Sequence, residues 1–334
     1  MCMANTRPVN DAASVTRFML ERARLSHPHG PRLHPIAAAS VGLKGEEMAP
    51  LAELKEAGCV AVSNDGRPLE NAELLRRIME YAADLDLTFI DHCEDPCLAR
   101  GWLMNEGAVS GLLGVKGQPD VGEAVQAARD IMLAEYLHLP VHIAHVSGKL
   151  TVDVIAWGKA RGVRVSAETC PHYLLLDESA LEGYNTAAKV SPPLRRPEDR
   201  EALRRAVKDG TIDILVTDHA PHAAHEKEGT LDEAPCGFTG LDLAVSLTWG
   251  LVREGVLAEA DLQRLWCRGP AEIFRLSWNG FAPGDPADFF LLDPDEVWTP
   301  GPETMHSKSR NTPFLGQSLC GRVKHHWLGG RMLF

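Results

Sequence analysis

Short apolar runs alternate with longer amphipathic stretches along this chain. The apolar runs occupy 34–40 (HPIAAAS), 59–65 (CVAVSND), 87–95 (LTFIDHCED), 140–147 (PVHIAHVS), 163–170 (VRVSAETC) and 213–219 (DILVTDH). Runs of this length and composition predict buried strands. Between them, apolar positions recur with the helical period and predict helices near 11–25, 68–85, 121–138, 151–161 and 197–209. Two more helices are expected near 241–254 and 260–276. Strands separated by helices pair in parallel through right-handed crossovers. The repeat therefore implies either a closed barrel or a doubly wound sheet.

The polar residues favour the barrel. Nearly every apolar run closes on a residue with chemistry: Asn64 and Asp65, His92, His145, Glu168, then Asp218 and His219. A (β/α)8 barrel gathers its functional side chains from the C-terminal ends of several strands. A doubly wound sheet concentrates them at one switch point, usually behind a glycine-rich turn. Neither G-x-G-x-x-G nor G-x-x-x-x-G-K-[ST] occurs. The prediction is an α/β fold, a TIM-type (β/α)8 barrel of the metal-dependent hydrolase kind. Beyond Asn279 the pattern changes, and PGDPADFFLLDP (283–294) and GRVKHHWLGGRMLF (321–334) read as strands with Gly/Pro turns. The expected division is a barrel over 1–279 and a small C-terminal β subdomain over 280–334.

Composition narrows the class further. With 334 residues, 45% hydrophobic and 24% charged, the chain can bury a large core and is not disordered. Its net charge of −12, without a Lys/Arg run, argues against nucleic acid as a partner. No apolar stretch approaches the ~20 residues of a membrane helix, and no secretory signal opens the chain. The eight cysteines are scattered without a C-x-x-C pair. They are expected to be reduced thiols of a cytoplasmic protein, mostly buried.

Four strand-end residues carry the candidate chemistry: Asp65, His92, His145 and Asp218. Imidazole and carboxylate together suit zinc and similar divalent ions, and a neighbouring Asp can take and return a proton. A lone strand-end His is ordinarily just hydrogen-bonded, and a lone Asp is often a helix cap. Spacing alone leaves the two readings open. His142, three residues before His145, is expected on the other face of its strand, packed against a helix. His138, His325 and His326 have no supporting context.

The wording of the motifs adds what spacing does not. MANTRPVND (3–11), HPIAA (34–38), SNDGRP (63–68), DHCED (91–95), HIAHVS (142–147), ETCPHYL (168–174), KVSPPLR (189–195), TDHAPH (217–222) and APCGFTGLD (234–242) resemble segments of class I dihydroorotases, within the amidohydrolase superfamily. KSRNTPFLG (308–316) and the GDPADFFLLDP tail continue the resemblance over essentially the whole chain. The resemblance implies two zinc ions, with Asp65 as the bridging carboxylate where hydantoinases use a carboxylated Lys. His92 and His145 would serve the second metal, and Asp218 would be a metal ligand and the catalytic proton shuttle. Asn5 and His222 would hold the substrate carboxylate, while Ser191, where many relatives carry Asn, and Cys236 and Gly237 would meet the substrate ring. The implied reaction is reversible cyclisation of N-carbamoyl-L-aspartate to L-dihydroorotate, in a homodimer able to associate with aspartate carbamoyltransferase.

One part of the family pattern has no counterpart. The His-x-His pair of the first barrel strand, and the Arg after it, are not found. His27-x-His29 has the spelling, but it follows the MANT motif and reads as a solvated turn. The chain is thus expected to start at the end of strand two, with Asp65, His92 and His145 a complete set for one zinc and the other position incomplete. Two alternatives follow: a non-catalytic dihydroorotase-like subunit, or another cyclic amidohydrolase of hydantoinase or allantoinase type.

Overall fold

A computed structural model describes residues 1–278 and 280–334. The strands, in chain order, are β1 (Ile36–Ala38), β2 (Ala61–Ser63), β3 (Thr88–Asp91), β4 (Met104–Asn105), β5 (Gly117–Gln118), β6 (Val141–Ile143), β7 (Val165–Thr169), β8 (Ile214–Leu215), β9 (Phe289–Trp298), β10 (Leu319–Leu328) and β11 (Arg331–Met332). Six of them form one parallel sheet in the order β1-β2-β3-β6-β7-β8. Spatial order follows chain order without reversal, which is barrel winding, since a doubly wound sheet reverses at its switch point. Cys2 adds a parallel bridge to Pro35, so the opening residues run beside β1 as a further row.

Each expected apolar run holds one strand of this sheet, and the expected helices lie between them. Helix Ala72–Asp84 is representative. Asn71 caps it, its side-chain oxygen accepting from the amides of Glu73 and Leu74. Leu75, Ile78, Met79 and Ala82 are buried at the i, i+3, i+4, i+7 spacing, while Arg76 and Arg77 pair with Glu73 and Glu80 in the adjoining turns. The helix Leu51–Ala57 was not expected, because seven residues are too few to display a period. The stretch expected as one helix over 260–276 is three pieces: Glu259–Gln263, a π turn at Arg264–Arg268, and Gly269–Phe274. Gly269 explains the close seating, since a Cβ there would stand 2.6 Å from Cγ2 of Ile214 in β8 and 2.8 Å from the Arg264 carbonyl.

Two cores result from the strand alternation. The larger lies between sheet and helices and joins Ala37, Val62, Phe89 and Ile143 to helix residues such as Leu75, Ile131, Ile155 and Leu203. The smaller takes Ile36, Ala61, Ile90, Ala144 and Ile214 from successive strand rows and closes on Phe274 of the last barrel helix. This is the side-chain filling that makes a barrel interior a core. His142 is fully buried with its nitrogens 2.8 Å from Ser166 Oγ and 3.0 Å from Glu168 Oε2, its ring against Phe274. The expected packing between strand and outer helix is not found: His142 shares the face of Ala144 and meets the inner core, because Ser166 and Glu168 of β7 satisfy its nitrogens there.

The tail forms the antiparallel sheet β11-β10-β9. It leans on helix Ala244–Arg253: Trp298 Nε1 donates to Ser246 Oγ (3.0 Å), Ser246 Oγ donates to the Gly321 carbonyl, and Trp249 Nε1 donates to the Pro294 carbonyl (2.9 Å). The expected boundary at Asn279 lies outside the described residues. Among the described residues no helix is long and apolar enough to cross a membrane. All eight cysteines are unpaired, but only Cys59, Cys93 and Cys170 are buried; Cys97 and Cys267 are exposed and Cys2, Cys236 and Cys320 are half-buried, so the expectation of mostly buried thiols is not met.

Phe274 sits 5% exposed at the foot of the barrel. Phe274→Ala is expected to cost about 3–5 kcal/mol of unfolding free energy, read from the denaturant midpoint. A loss below about 1 kcal/mol would mean that the inner core does not depend on this ring.

Candidate active site

Each candidate ligand stands just past the C-terminal end of a strand. Asp65 follows β2, His92 follows β3, His145 follows β6 and Asp218 follows β8. His145 and Asp218 both adopt positive φ, 31° and 44°. Non-glycine residues held there carry about 1–3 kcal/mol of backbone strain, which persists where the surroundings fix the side chain for use.

Three of the four converge. Asp65 Oδ1 lies 3.2 Å from His145 Nε2 and 3.5 Å from His92 Nδ1. The same two ring nitrogens are 2.9 Å apart, with the rings edge to face. Both histidines are 4% exposed, and His145 Nδ1 is buried without a hydrogen-bond partner. Burial disfavours the His92 imidazolium, yet Asp65 and Glu94 outweigh it and raise its pKa to about 10. Burial likewise pushes the Asp65 carboxyl up, but the two imidazoles overcome this and hold it well below the usual carboxylate range. The pocket therefore calls for positive charge between two nitrogens and an oxygen. This N/N/O donor set, with its atoms within 4.8 Å of one another, fits a divalent ion of the zinc type.

Neighbouring groups hold these donors in place. Asn5 Nδ2 donates to Asp65 Oδ2 at 2.8 Å. Behind His92, Glu94 accepts from Gln118 Nε2 at 2.6 Å, and Gln118 Oε1 accepts from Arg195 at 2.7 Å. Arg195, 2% exposed, is the arginine of the KVSPPLR segment, and it also reaches Ser147 Oγ and Asn105 Oδ1 at 3.1 Å each. Asp218 approaches the centre from the β8 side. Burial raises its carboxyl, His145 lowers it and Asp65 raises it again, leaving it at about 6. One of its oxygens lies within 4.8 Å of a ligand atom of Cys170 and of His172.

The expected substrate-facing residues lie on two segments that are tied together. His222 Nε2 is 2.8 Å from the Cys236 carbonyl. Gly237 has φ 114°, and a Cβ there would stand 2.5 Å from that of Ala220, so only glycine fits. The Gly237 amide donates to the Lys189 carbonyl at 2.9 Å, two residues before the half-buried Ser191. Sequence reasoning missed the residues that organise this face. Asn311 Oδ1 accepts from the His222 amide (3.1 Å) while its Nδ2 donates to the Gly237 carbonyl (3.2 Å). Among the described residues, buried Lys189 and Lys227 donate only to backbone carbonyls: Lys189 to Leu231 and Ala234, Lys227 to Thr186, Lys189 and Pro235. The signal for Asn311 was the KSRNTPFLG wording alone, because its contacts span 89 and 74 residues. His27 and His29 are exposed, beside Arg331 and Met332.

A parallel barrel with imidazole and carboxylate donors at its strand ends defines a hydrolase of the amidohydrolase type. Comparison with known proteins agrees. The L-hydantoinase (dihydropyrimidinase) of Arthrobacter aurescens superposes with a TM-score of 0.84 at 21% identity, over 99% of this chain and 76% of that one. The D-hydantoinase of a Thermus species gives 0.76 at 23%, over 99% and 75%. At such identity the likeness speaks for the fold alone. A family model described as dihydro-orotase-like matches residues 1–151. The dihydroorotase of Desulforapulum autotrophicum is 46% identical over 99% of this chain and 77% of its own length. That of Syntrophus aciditrophicus is 44% identical over 100% and 78%. The chain belongs to the dihydroorotase family.

Asn311→Ala removes both side-chain hydrogen bonds by which Asn311 bridges the His222 and Gly237 segments, and leaves the direct His222–Cys236 contact in place. Tryptic cleavage after Lys227, now buried, is expected to accelerate at least several-fold, followed by mass spectrometry. An unchanged cleavage rate would show that the segments hold together without Asn311.

Proposed function

We propose that this chain is a dihydroorotase, which interconverts N-carbamoyl-L-aspartate and L-dihydroorotate in de novo pyrimidine synthesis. The observation that carries the reading is the Asp65 carboxylate set against both imidazoles. An aspartate at the bridging position favours a dihydroorotase over the hydantoinase or allantoinase type. The intact Asp65–His92–His145 group argues against a non-catalytic subunit, since a degenerate site has no reason to keep three converging donors.

Asp65, His92 and His145 would hold zinc, which supplies Lewis acidity at the scissile amide and acidifies a water molecule. The remaining work falls to side chains of this chain. Asp218 takes the proton of the attacking water and returns it to the leaving ring nitrogen, and it reverses these roles in ring closure. Its carboxyl at about 6 is close to the balance that a two-way shuttle needs. Asn5 and His222 hold the substrate carboxylate, Asn5 while also steadying Asp65. Ser191 and the Cys236–Gly237 turn bound the ring. In this reading residues 1–279 carry the site, and the β subdomain over 280–334 braces it through the segment bearing Asn311. A cytoplasmic location suits the unpaired thiols, and a homodimer able to associate with aspartate carbamoyltransferase is the family expectation.

The test is a substrate panel on the zinc-loaded chain. Ring opening of dihydroorotate is expected, with hydantoin and allantoin untouched; turnover of either of the latter alone would overturn the assignment. His145→Ala is expected to release the zinc held with Asp65 and His92, measured by plasma emission after gel filtration. Unchanged zinc content would remove His145 from the ligand set. Asp218→Asn is expected to lower both directions by about 10²–10⁴-fold, and near-normal rates would rule out its shuttle role.

A further inference from the structure

Arg195 closes the KVSPPLR segment and takes no part in the proposed reaction, yet it is buried where three segments meet. Its Nε donates to Ser147 Oγ at 3.1 Å, Nη1 to Asn105 Oδ1 at 3.1 Å and to the Gln118 carbonyl at 3.0 Å, and Nη2 to Gln118 Oε1 at 2.7 Å. Asn105 and Gln118 are register partners in the β4–β5 pair. The Glu178 amide anchors the Arg195 backbone, donating to its carbonyl at 2.7 Å. Two routes lead from this guanidinium to the Asp65 group. On one, Gln118 Nε2 donates to Glu94 Oε2 at 2.6 Å, and Glu94 Oε2 lies 3.9 Å from His92 Nε2, while His92 Nδ1 is the nitrogen set against Asp65. On the other, Ser147 stands two residues past His145, as Glu94 stands two residues past His92. The Ser147 amide donates to Glu123 Oε1 at 3.1 Å and its hydroxyl to Glu123 Oε2, and Arg195 Nη2 is 3.8 Å from that same oxygen.

We propose that Arg195 is a positioning residue that sets the His92 and His145 loops jointly, so that both imidazoles are presented in register to one metal ion. This role rests on the reading of Asp65, His92 and His145 as metal ligands, but not on which cyclic amide is hydrolysed. Groups that orient ligating imidazoles from behind are worth about 10–100-fold in metal affinity. A planar guanidinium suits the task, because its donors are fixed relative to one another. The arm held by Gln118 therefore dictates where the arm on Ser147 lies. A lysine ammonium carries its donors on a flexible stem and imposes no such relation. Buried Glu123 also calls for a nearby cation, and a residue serving only that need works as well with Lys as with Arg. Charge and fork geometry thus make separable predictions.

Arg195→Lys keeps the charge and removes the fork. In the chelator-treated full chain, checked for folding by circular dichroism, amide hydrogen exchange read by mass spectrometry is expected to quicken several-fold in the loops after β3 and after β6 together. Gln118→Ala cuts only the route to His92, yet it is expected to quicken the loop after β6 as well, and it serves if Arg195→Lys does not fold. Cobalt(II) added to the same proteins is expected to bind about 10–100-fold more weakly in Arg195→Lys, with altered visible d–d bands, which report ligand geometry. The double variant Gln118→Ala/Ser147→Ala is expected to lose no more affinity than the weaker-binding single variant, as one shared element requires. Exchange quickened in one loop only, or cobalt losses that multiply, would mean that the loops are held separately and would overturn the joint role. Normal exchange and an unchanged cobalt spectrum in Arg195→Lys would reduce Arg195 to a counter-charge and would equally overturn it. Exchange is read without metal, so it decides the role of Arg195 even where the unsubstituted chain takes up no cobalt, a result that would count against the metal reading alone.

Discussion

The structure depends on holding three mutually close donors, Asp65, His92 and His145, in a buried pocket. Two imidazole nitrogens 2.9 Å apart and a carboxylate oxygen within 3.5 Å do not settle into this arrangement for packing reasons. Removing such groups from water costs several kcal/mol per charge unless partners compensate. A barrel can sustain this cost. Its parallel strands fix where each strand ends, and the ends of β2, β3 and β6 deliver one donor each to the same point. The inner core below, closed by Phe274, keeps those strands at their spacing.

Support then spreads outward in shells. Asn5 steadies Asp65, and the Arg195–Gln118–Glu94 chain stands behind His92. On the face proposed to meet substrate, Asn311 joins the His222 and Gly237 segments, so residues after Asn279 brace that face from outside. The buried lysines 189 and 227 perform a similar service, each binding carbonyls across a loop that has no regular structure to satisfy them.

Much of this was legible in the sequence because barrel chemistry is local to strand ends. Six apolar runs marked the six strands, and the polar residue closing each run marked the site. Periodicity could not reveal the helix Leu51–Ala57, which is too short, or the π turn at Arg264–Arg268, which arises where the chain packs on β8. The alternation rule placed His142 away from His145 but gave no hint of Ser166 and Glu168 as its partners. Asn311, Lys189 and Lys227 act through contacts between distant parts of the chain, which no local pattern encodes. The grouping of Asp218 with Cys170 and His172 was hidden for the same reason: it joins the ends of two neighbouring strands 48 residues apart in sequence, Cys170 and Asp218.

The central claim is that the Asp65 group is built around a metal ion. Anomalous diffraction at the zinc edge, on crystals of the zinc-loaded chain, tests it most directly. The account predicts an anomalous peak bounded by Asp65 Oδ1, His92 Nδ1 and His145 Nε2, the three atoms already drawn together. Zinc bound elsewhere, with His92 and His145 still in direct contact with each other, would contradict it.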